Sequence, residues 1–307
     1  MKKTILFAFI PTLILSACSS DEPGQPAQDG QVAARIIAGV DGPTSRANGN
    51  LWEADQIGVT VTNAPTSDMA SRYTNVLHAT TSTTDVAAFE SETPIYFQDA
   101  DETVTFSAYA PYSQTLTNNI IEFDITEQST RNAQKAIDFI FAEGAMANRA
   151  NPTVSFSGEH KFNHRMARLV VTVKPGQGFT LDDIKGGNHI VSAMPTEGRF
   201  NVLTGVAYVI EGTEFHDFML ANAIRTDAAD AISYSAIVIP QDWATSHPFF
   251  AKIGNQVYRS TSDIPSPFEA GKSYSYTFTV NKTGIVLEAS QITDWDNQPN
   301  VDGEATM

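Results

Sequence analysis

The sequence predicts an all-β protein, and three observations carry this prediction. Apolar and polar residues alternate with a period of two along much of the chain, as in Val104–Tyr109 and Tyr274–Val280. β-Branched and aromatic residues line these runs, as is typical of strands. Turn residues such as Asn118-Asn119 and Lys174–Gly178 separate the runs at short intervals, which indicates β-sandwiches with few short helices.

The first thirty residues predict export followed by a tether. Lys2-Lys3 and the apolar stretch Ile5–Leu15 have the form of a signal peptide that is too short to span a bilayer. The stretch ends in Leu15-Ser16-Ala17-Cys18, which resembles a bacterial lipoprotein processing site. We expect residues 1–17 to be removed and Cys18, the single cysteine of the chain, to carry the lipid. The alternative is an ordinary cleavage after Ala17 that leaves a free thiol.

The polar residues 18–30 are expected to be a disordered tether. Ser19, Asp21 and Glu22 directly follow the cysteine, and they resemble the acidic surface-export signals of Bacteroidetes lipoproteins. The expected location is therefore the outer membrane and the cell surface.

The body of the chain is expected to divide into two domains. Lys174–Gly178 is the best boundary, with a first β-sandwich over residues 31–175 and a second over 176–307, each of ordinary domain size. A helical turn is expected around Asn132–Phe141. The expected strands are Val32–Val40, Ile57–Thr62, Val104–Tyr109, Ile120–Ile125, Thr153–Phe156, Arg168–Val173, Arg199–Val202, Val206–Glu211, Tyr234–Ile239, Phe249–Ile253, Tyr274–Val280 and Gly284–Leu287.

The composition argues against several classes of function. Acidic residues outnumber basic ones 35 to 19, the formal net charge is −16, and the only basic run is Lys2-Lys3. No nucleic-acid partner is therefore expected. The G-x-S-x-G, P-loop and G-x-G-x-x-G motifs of common enzyme classes do not occur. We predict that the protein is not an enzyme, with no catalytic residues and no cofactor.

His160 and His164 form the pattern that comes nearest to a metal site. Their i,i+4 spacing would place both rings on one helix face, but no Glu follows His160 and the stretch also fits a strand. We interpret them as surface or interface histidines beside Phe162 and Met166, and we predict no metal.

Acidic clusters and tryptophans are further candidate binding groups. The acidic clusters at 99–102, 182–183 and 227–230 lack the pattern of a calcium loop, so we interpret them as solvated charge. Three tryptophans lie too far apart in sequence to argue for a sugar-stacking platform, and we expect each to anchor a sandwich core or corner. They are Trp52, Trp243 and Trp295.

Seven phrases, read in order, resemble the Bacteroidetes fimbrillins, which are type V pilus subunits, and their Mfa-like relatives. Together they span nearly the whole chain, and their order is more specific than any one of them. Thr44–Ala47 matches the region in which the family is cleaved between Arg and Ala, and Leu51–Val59 matches the strand that follows. The seven phrases are Thr44–Ala47, Leu51–Val59, Phe106–Tyr112, Asp138–Ala142, Phe162–Leu169, Gly271–Tyr276 and Ile292–Trp295.

The resemblance implies two transthyretin-like β-sandwiches in tandem and assembly by strand exchange. The precursor would be held in the outer membrane by lipid on Cys18 until an Arg-specific protease cuts between Arg46 and Ala47. That bond lies among Gly, Pro and Asn residues, where a loop should be exposed. The cut would free the first strand, Val32–Val40, and the vacated groove would accept a strand from another fimbrial subunit. The apolar residues that mark this exchanged strand are Ile36, Ile37 and Val40.

Three hypotheses remain open. The first is a subunit of a homo- or heteropolymeric fimbria. The polar tail of this chain, Asn297–Met307, lacks the apolar alternation of a donor strand. This would suit a tip subunit, which could bind a host or bacterial surface ligand. The second is a monomeric surface lipoprotein that retains its first strand and binds glycan or protein through its loops. The third is a surface hydrolase with carboxylates clustered in a cleft.

Overall fold

The computed structural model describes residues 30–39, 52–53, 55–241, 246–265 and 267–295. The regular structure of these residues is almost entirely strands, with three short helices and two 3-10 turns, so the all-β prediction is confirmed. The described strands belong to one compact unit that begins at Val32. In this part of the chain, no helix has the length and the apolar character needed to cross a membrane.

The elements of the first half of the chain are short strands with two helices. In chain order they are β1 Val32–Ala33, β2 Arg35–Gly39, β3 Gln56–Asn63, α1 Met69–Arg72, β4 Val76–Ala79, β5 Val86–Phe89, β6 Tyr96–Phe97, β7 Val104–Ala110, β8 Ile120–Asp124, α2 Arg131–Ile137, β9 Ile140–Ala147, β10 Thr153–Phe156, a 3-10 turn at Gly158–His160, β11 Asn163–His164 and β12 Ala167–Pro175.

The second half contains one helix and longer strands near its end. Its elements are α3 Leu181–Lys185, β13 Asn188–Pro195, β14 Glu197–Asn201, β15 Val206–Val209, β16 Phe215–Met219, a 3-10 turn at Leu220–Asn222, β17 Ile224–Asp227, β18 Ile232–Val238, β19 Ser246–His247, β20 Phe249–Ile253, β21 Gln256–Arg259, β22 Ile264–Pro265, β23 Lys272–Asn281 and β24 Gly284–Asp294.

Two sheets enclose a first core. One has the strand order β10-β2-β5 and the other β11-β9-β7-β3-β4. The β2–β10 pair is parallel, and the other pairs in these sheets are antiparallel. Side chains of both sheets join one cluster that includes Trp52, Phe106 and Phe156, as the facing sheets of a β-sandwich do.

A second core lies between two further sheets. Their strand orders are β17-β18-β12-β23-β24 and β16-β13-β20-β21. Phe218, Phe249 and Phe278 of these sheets are fully buried in one cluster. A smaller sheet, β15-β14-β8, adds Phe200 to the same cluster. The fold therefore repeats one plan, in which a core lies between paired sheets.

Strand pairing crosses the expected domain boundary. Strand β12, which ends at Pro175, pairs with β18 and β23 of the second half. Strand β8 of the first half pairs with β14. A division of the chain into domains at residue 175 stays a prediction.

The expected helical turn at Asn132–Phe141 is shorter in the structure. Helix α2 covers Arg131–Ile137, and the Thr130 hydroxyl caps it by accepting the Ala133 N–H at 3.2 Å. From Ile140 the chain continues as β9, which pairs with β7. The apolar residues at the end of the predicted turn therefore belong to a buried strand rather than to a helix.

Candidate functional site

The first strand is the candidate site, because the predicted exchange depends on how this segment is held. The expected run Val32–Val40 forms two strands, with a break at Ala34. Strand β1 pairs with β6, and the Ala34 N–H donates to the Ile95 carbonyl at 2.8 Å. Strand β2 then lies between β10 and β5, so both of its edges are hydrogen-bonded. It is the central strand of its three-stranded sheet.

The residues of β2 alternate between the core and the outer face. Ile36 is 2% exposed and Ala38 is fully buried, whereas Arg35 is exposed and Ile37 is half-buried. Gly39 passes so close to β10 that an added Cβ would lie 3.3 Å from the Ser157 Cβ. The small residues allow β2 to lie close to the core, while Ile36 supplies most of its buried apolar volume.

Strand β2 covers a cluster of aromatic rings. Trp52 packs edge-on against Phe89, with ring centroids 4.9 Å apart, and against Phe162 at 5.5 Å. Phe156 lies 5.8 Å from Phe162. All four rings are buried in the same cluster as Ile36 and Ala38. Loss of β2 would expose part of this cluster and leave a groove lined by apolar side chains.

A hydrogen bond fixes the end of β2 to the segment that follows the expected cleavage region. The Trp52 indole N–H donates to the Ala38 carbonyl at 3.0 Å, and both residues are fully buried. Ala38 and Trp52 lie on opposite sides of Arg46 in the sequence. After a cut at Arg46, β2 would therefore be held beside Trp52 by noncovalent contacts.

Several of the predicted site residues lie outside the described residues. These are Cys18, Val40, Arg46 and Ala47. Their roles in lipidation, strand exchange and processing stay predictions. Ile36 and Ile37 are placed by the structure, on the inner and the outer face of β2 respectively.

The segment after the expected cleavage region is anchored by buried charge. Asp55 is 5% exposed and accepts the Glu53 N–H at 2.9 Å. Lys135 of α2 lies 2.9 Å from the Asp55 carboxylate and 3.4 Å from that of Glu53. Helix α2 thus ties the start of β3 in place independently of β2.

A second cluster joins four of the family-like phrases. The His164 Nδ1 and Asp138 Oδ1 atoms lie 2.7 Å apart, and both side chains are buried. The His164 ring stacks on Trp295 with centroids 4.0 Å apart and an angle of 1° between the planes. The backbone N–H of Trp295 donates to the Gly271 carbonyl at 2.8 Å. Residues that are 24 to 157 positions apart therefore meet at the end of β24.

The interpretation of His160 and His164 as a surface or interface pair is wrong for His164. His164 is 3% exposed, whereas His160 is partly exposed and its Nδ1 lies 3.0 Å from the Glu143 carbonyl. The two residues lie in a 3-10 turn and in β11, so they do not share a helix face. The phrase Phe162–Leu169 was the available signal, since it also carries buried Phe162 and Met166.

Three further histidines are buried in polar pairs. Burial lowers the pKa of each from 6.5, and for His189 the pKa falls to about 4. The His189 Nδ1 lies 3.0 Å from the Tyr234 hydroxyl, and the His247 Nε2 lies 2.8 Å from the Gln241 side-chain nitrogen. The three residues are His78, His189 and His247.

The sequence is similar to a known protein family over most of its length. The sequence model of the fimbrillin-like family matches residues 45–295. A Bacteroides uniformis protein named as a candidate fimbrium subunit, Fim1C, is 28% identical over 306 residues, which covers 96% of this chain and 95% of that protein.

Solved structures of two proteins are also similar to this chain. The crystal structure of a candidate cell adhesion protein from Bacteroides uniformis aligns with a TM-score of 0.66 at 26% identity, over 88% of this chain and all of that one. The tip fimbrial protein Mfa3 of Porphyromonas gingivalis, truncated at its C-terminus, aligns with a TM-score of 0.51 at 12% identity, over 86% and 100% of the two chains. The second likeness shows the fold alone.

Proposed function

The chain belongs to the fimbrillin-like family, and from this premise we propose that it is a subunit of a surface fimbria that serves adhesion and assembles by exchange of its first strand. The relatives named as fimbrium subunit and cell adhesion protein support the fimbrial and adhesive role. They also favour a structural role over catalysis. Other subunits, identical or different, would be its partners.

The observation that carries strand exchange is the placement of β2. It is paired along both edges and seated on an aromatic cluster, and the sequence that follows it contains Arg46. A strand-shaped groove between β10 and β5 would offer hydrogen-bonding groups on both sides and apolar contacts below. An extended segment of another subunit could satisfy all of these groups, as in β-augmentation.

The same proposal includes export as a lipoprotein. Cys18 would carry the lipid and hold the precursor in the outer membrane until the cut at Arg46 separates the tether from the body. Growth with a palmitate analogue would label the wild-type precursor, and Cys18→Ser would abolish the label. A labelled Cys18→Ser protein would contradict lipidation at this residue.

Protease treatment tests cleavage and exchange together. Residues Ser19–Met307, without the lipid cysteine, are incubated with a trace of an Arg-specific protease, while intact mass and a native gel are recorded over time. We expect one cut after Arg46, followed by a ladder of detergent-resistant polymers. Arg46→Lys is the matched control that keeps the charge and removes the cleavage site. Arg35→Lys should behave as wild type, because Arg35 lies within a paired strand.

The outcomes separate the hypotheses. A cut without a ladder would favour a tip or accessory subunit that needs a donor from another protein. An uncut, monomeric protein would overturn strand exchange and favour a surface lipoprotein that retains β2.

A further inference from the structure

An open groove lies on the outer face of the β15-β14-β8 sheet. This sheet does not include β2. The volume of the groove is about 630 Å³. One wall comes from the loop after β7, with the hydroxyl groups of Ser113, Thr115 and Thr117. Its floor comes from the three strands of the sheet. The groove falls within the size range of small-ligand sites.

Three side chains cross the floor in one row. Glu122 of β8 is opposite Arg199 of β14, and Arg199 is opposite Tyr208 of β15. Residues that are directly opposite on neighbouring strands lie on the same face of the sheet. Strands are about 4.8 Å apart, so the row spans about 10 Å, which is close to the length of two linked sugar rings. The Tyr208 side chain is 38% exposed.

The charges in this row cancel. The Arg199 Nε and Nη2 atoms both donate to Glu122 Oε1, at 2.9 and 2.6 Å. Arg199 Nη1 and Glu122 Oε2 take no part in these two hydrogen bonds, and both residues line the groove. The groove therefore offers paired donors and acceptors without a net charge. The chain has a formal charge of −16, which further disfavours an anionic ligand.

The wall of the groove is held in place before any ligand binds. Thr117 and Ile120 exchange backbone hydrogen bonds around Asn118-Asn119, at 3.1 and 3.2 Å. The Val202 N–H donates to the Asn119 carbonyl at 3.0 Å. At the other end of the loop, the Tyr109 hydroxyl accepts the Ser113 N–H at 3.2 Å. A site that is already ordered loses little entropy on binding.

We propose that this groove binds a neutral saccharide of about two rings. One apolar face of a sugar ring stacks on Tyr208, and ring hydroxyls bind the Arg199–Glu122 pair and the loop hydroxyls. A sugar has an apolar face and a polar rim, and the groove presents an aromatic ring beside polar groups in the same arrangement. The inference does not depend on strand exchange, since the groove and β2 share no residue.

Saturation-transfer NMR on residues Ser19–Met307 tests the proposal. The probes are lactose, N-acetyllactosamine, cellobiose and mannobiose, with sialyllactose as the charged counterpart. We expect at least one neutral disaccharide to bind, with sialyllactose weaker than lactose. Tyr208→Ala should weaken binding about tenfold, whereas Tyr208→Phe keeps the ring and should change it less than about threefold. Phe215→Ala, at an exposed aromatic residue on β16 that does not line the groove, is the matched control.

Three results would overturn the inference. They are the absence of binding by every neutral disaccharide, equal binding by wild type and Tyr208→Ala, and tighter binding of sialyllactose than of lactose. Circular dichroism of each variant excludes unfolding as the cause of lost binding. The protease ladder is scored separately, so failure of saccharide binding leaves strand exchange untouched.

Discussion

At the scale of single residues, His189 couples stability to pH. Its Nε2 is buried and has no hydrogen-bond partner among the described residues, while Nδ1 faces the Tyr234 hydroxyl. Desolvation and, secondarily, the charge of Arg225 lower its pKa from 6.5 to about 4. The neutral ring suits this site, and a charged ring would be unfavourable there.

The first prediction is that acidification destabilises the protein through His189. Between pH 6.5 and 4 the unfolded chain binds a proton at this residue that the folded chain does not, so the free energy of unfolding falls as the pH falls. The expected loss from this group reaches about 3 kcal/mol near pH 4. Urea unfolding at pH 7, 6, 5 and 4 should give a shallower pH dependence for His189→Gln than for wild type.

Exposed His216 supplies the control for that measurement. It lies on β16, and His216→Gln is the same substitution at an exposed position. An unchanged slope in His189→Gln would contradict the prediction, even if that variant is less stable at every pH, because only the pH dependence reports the titration.

Several residue roles could be expected from the sequence, and others could not. Trp52 and Trp295 were expected to anchor a core, and both are buried; Trp243 lies outside the described residues. The Asp138–His164–Trp295 contacts could not be derived, because a side-chain partner that is distant in sequence leaves no local pattern. The family-like phrases marked all three positions without saying that they meet.

At the scale of elements, the two faces of β2 contribute differently to the free energy of unfolding. Ile36 points into the aromatic cluster, whereas Ile37 is half-buried on the outer face. Substitution by Ala at each of these neighbouring positions therefore separates the stability that comes from core burial from the stability that comes from strand propensity.

The second prediction uses this pair. Ile36→Ala should lower the free energy of unfolding by about 2–4 kcal/mol, as for other large-to-small core substitutions, while Ile37→Ala should lower it by about 1 kcal/mol or less. Urea unfolding of the uncut protein measures both. Equal losses would mean that β2 is not seated with Ile36 inward.

The hairpin turn between Thr117 and Ile120 is an element that the sequence predicted well. Asn118 and Asn119 have φ angles of 54° and 63°, the left-handed region that Asn tolerates better than most residues. The third prediction is that Asn119→Val destabilises the protein by about 1–2 kcal/mol, because a β-branched residue is strained there. Asn119→Gly should stay within about 0.5 kcal/mol of wild type in the same thermal or urea melts. Equal stability of the two variants would argue against this turn.

Strands whose sequence alternates between apolar and polar residues were predictable, whereas β9 was not. Thr153–Phe156 and Phe249–Ile253 match β10 and β20 at both ends. Strand β9 has buried residues on both faces at Ile140, Phe141 and Ala142, so its sequence lacks a period of two. Without that period, a short apolar run is compatible with a helix as well as with a strand.

At the scale of the whole molecule, the order of strand pairing depends on long-range contacts that local sequence patterns do not reveal. The sequence predicted that Val32–Val40 would be a strand, but not that β2 would lie between β10 and β5. Its parallel partner is more than a hundred residues away. Likewise, the saccharide groove depends on β8 reaching β14 across the middle of the chain. Such long-range pairings are set by the packing of whole sheets.

The fourth prediction follows from this arrangement. After a cut at Arg46, β2 is held by its pairing with β10 and β5, the Ile36 contacts and the Trp52–Ala38 hydrogen bond. Because these contacts are extensive, its release should be slow and should limit the rate of exchange. A fluorescent peptide of residues 31–46 should therefore enter the cut protein over hours and enter the uncut protein much more slowly.

Matched peptides show whether entry uses the same groove. A peptide with Ile36→Asp should fail to enter, since it would bury an unpaired charge against aromatic rings, whereas Ile37→Asp places the charge toward the outer face and should still enter. Fluorescence polarisation measures the uptake, and intact mass confirms the cut. Equal uptake of both peptides would mean that they bind elsewhere on the surface. Uptake limited to the wild-type and Ile37→Asp peptides would make the vacated β2 groove the acceptor of a partner strand.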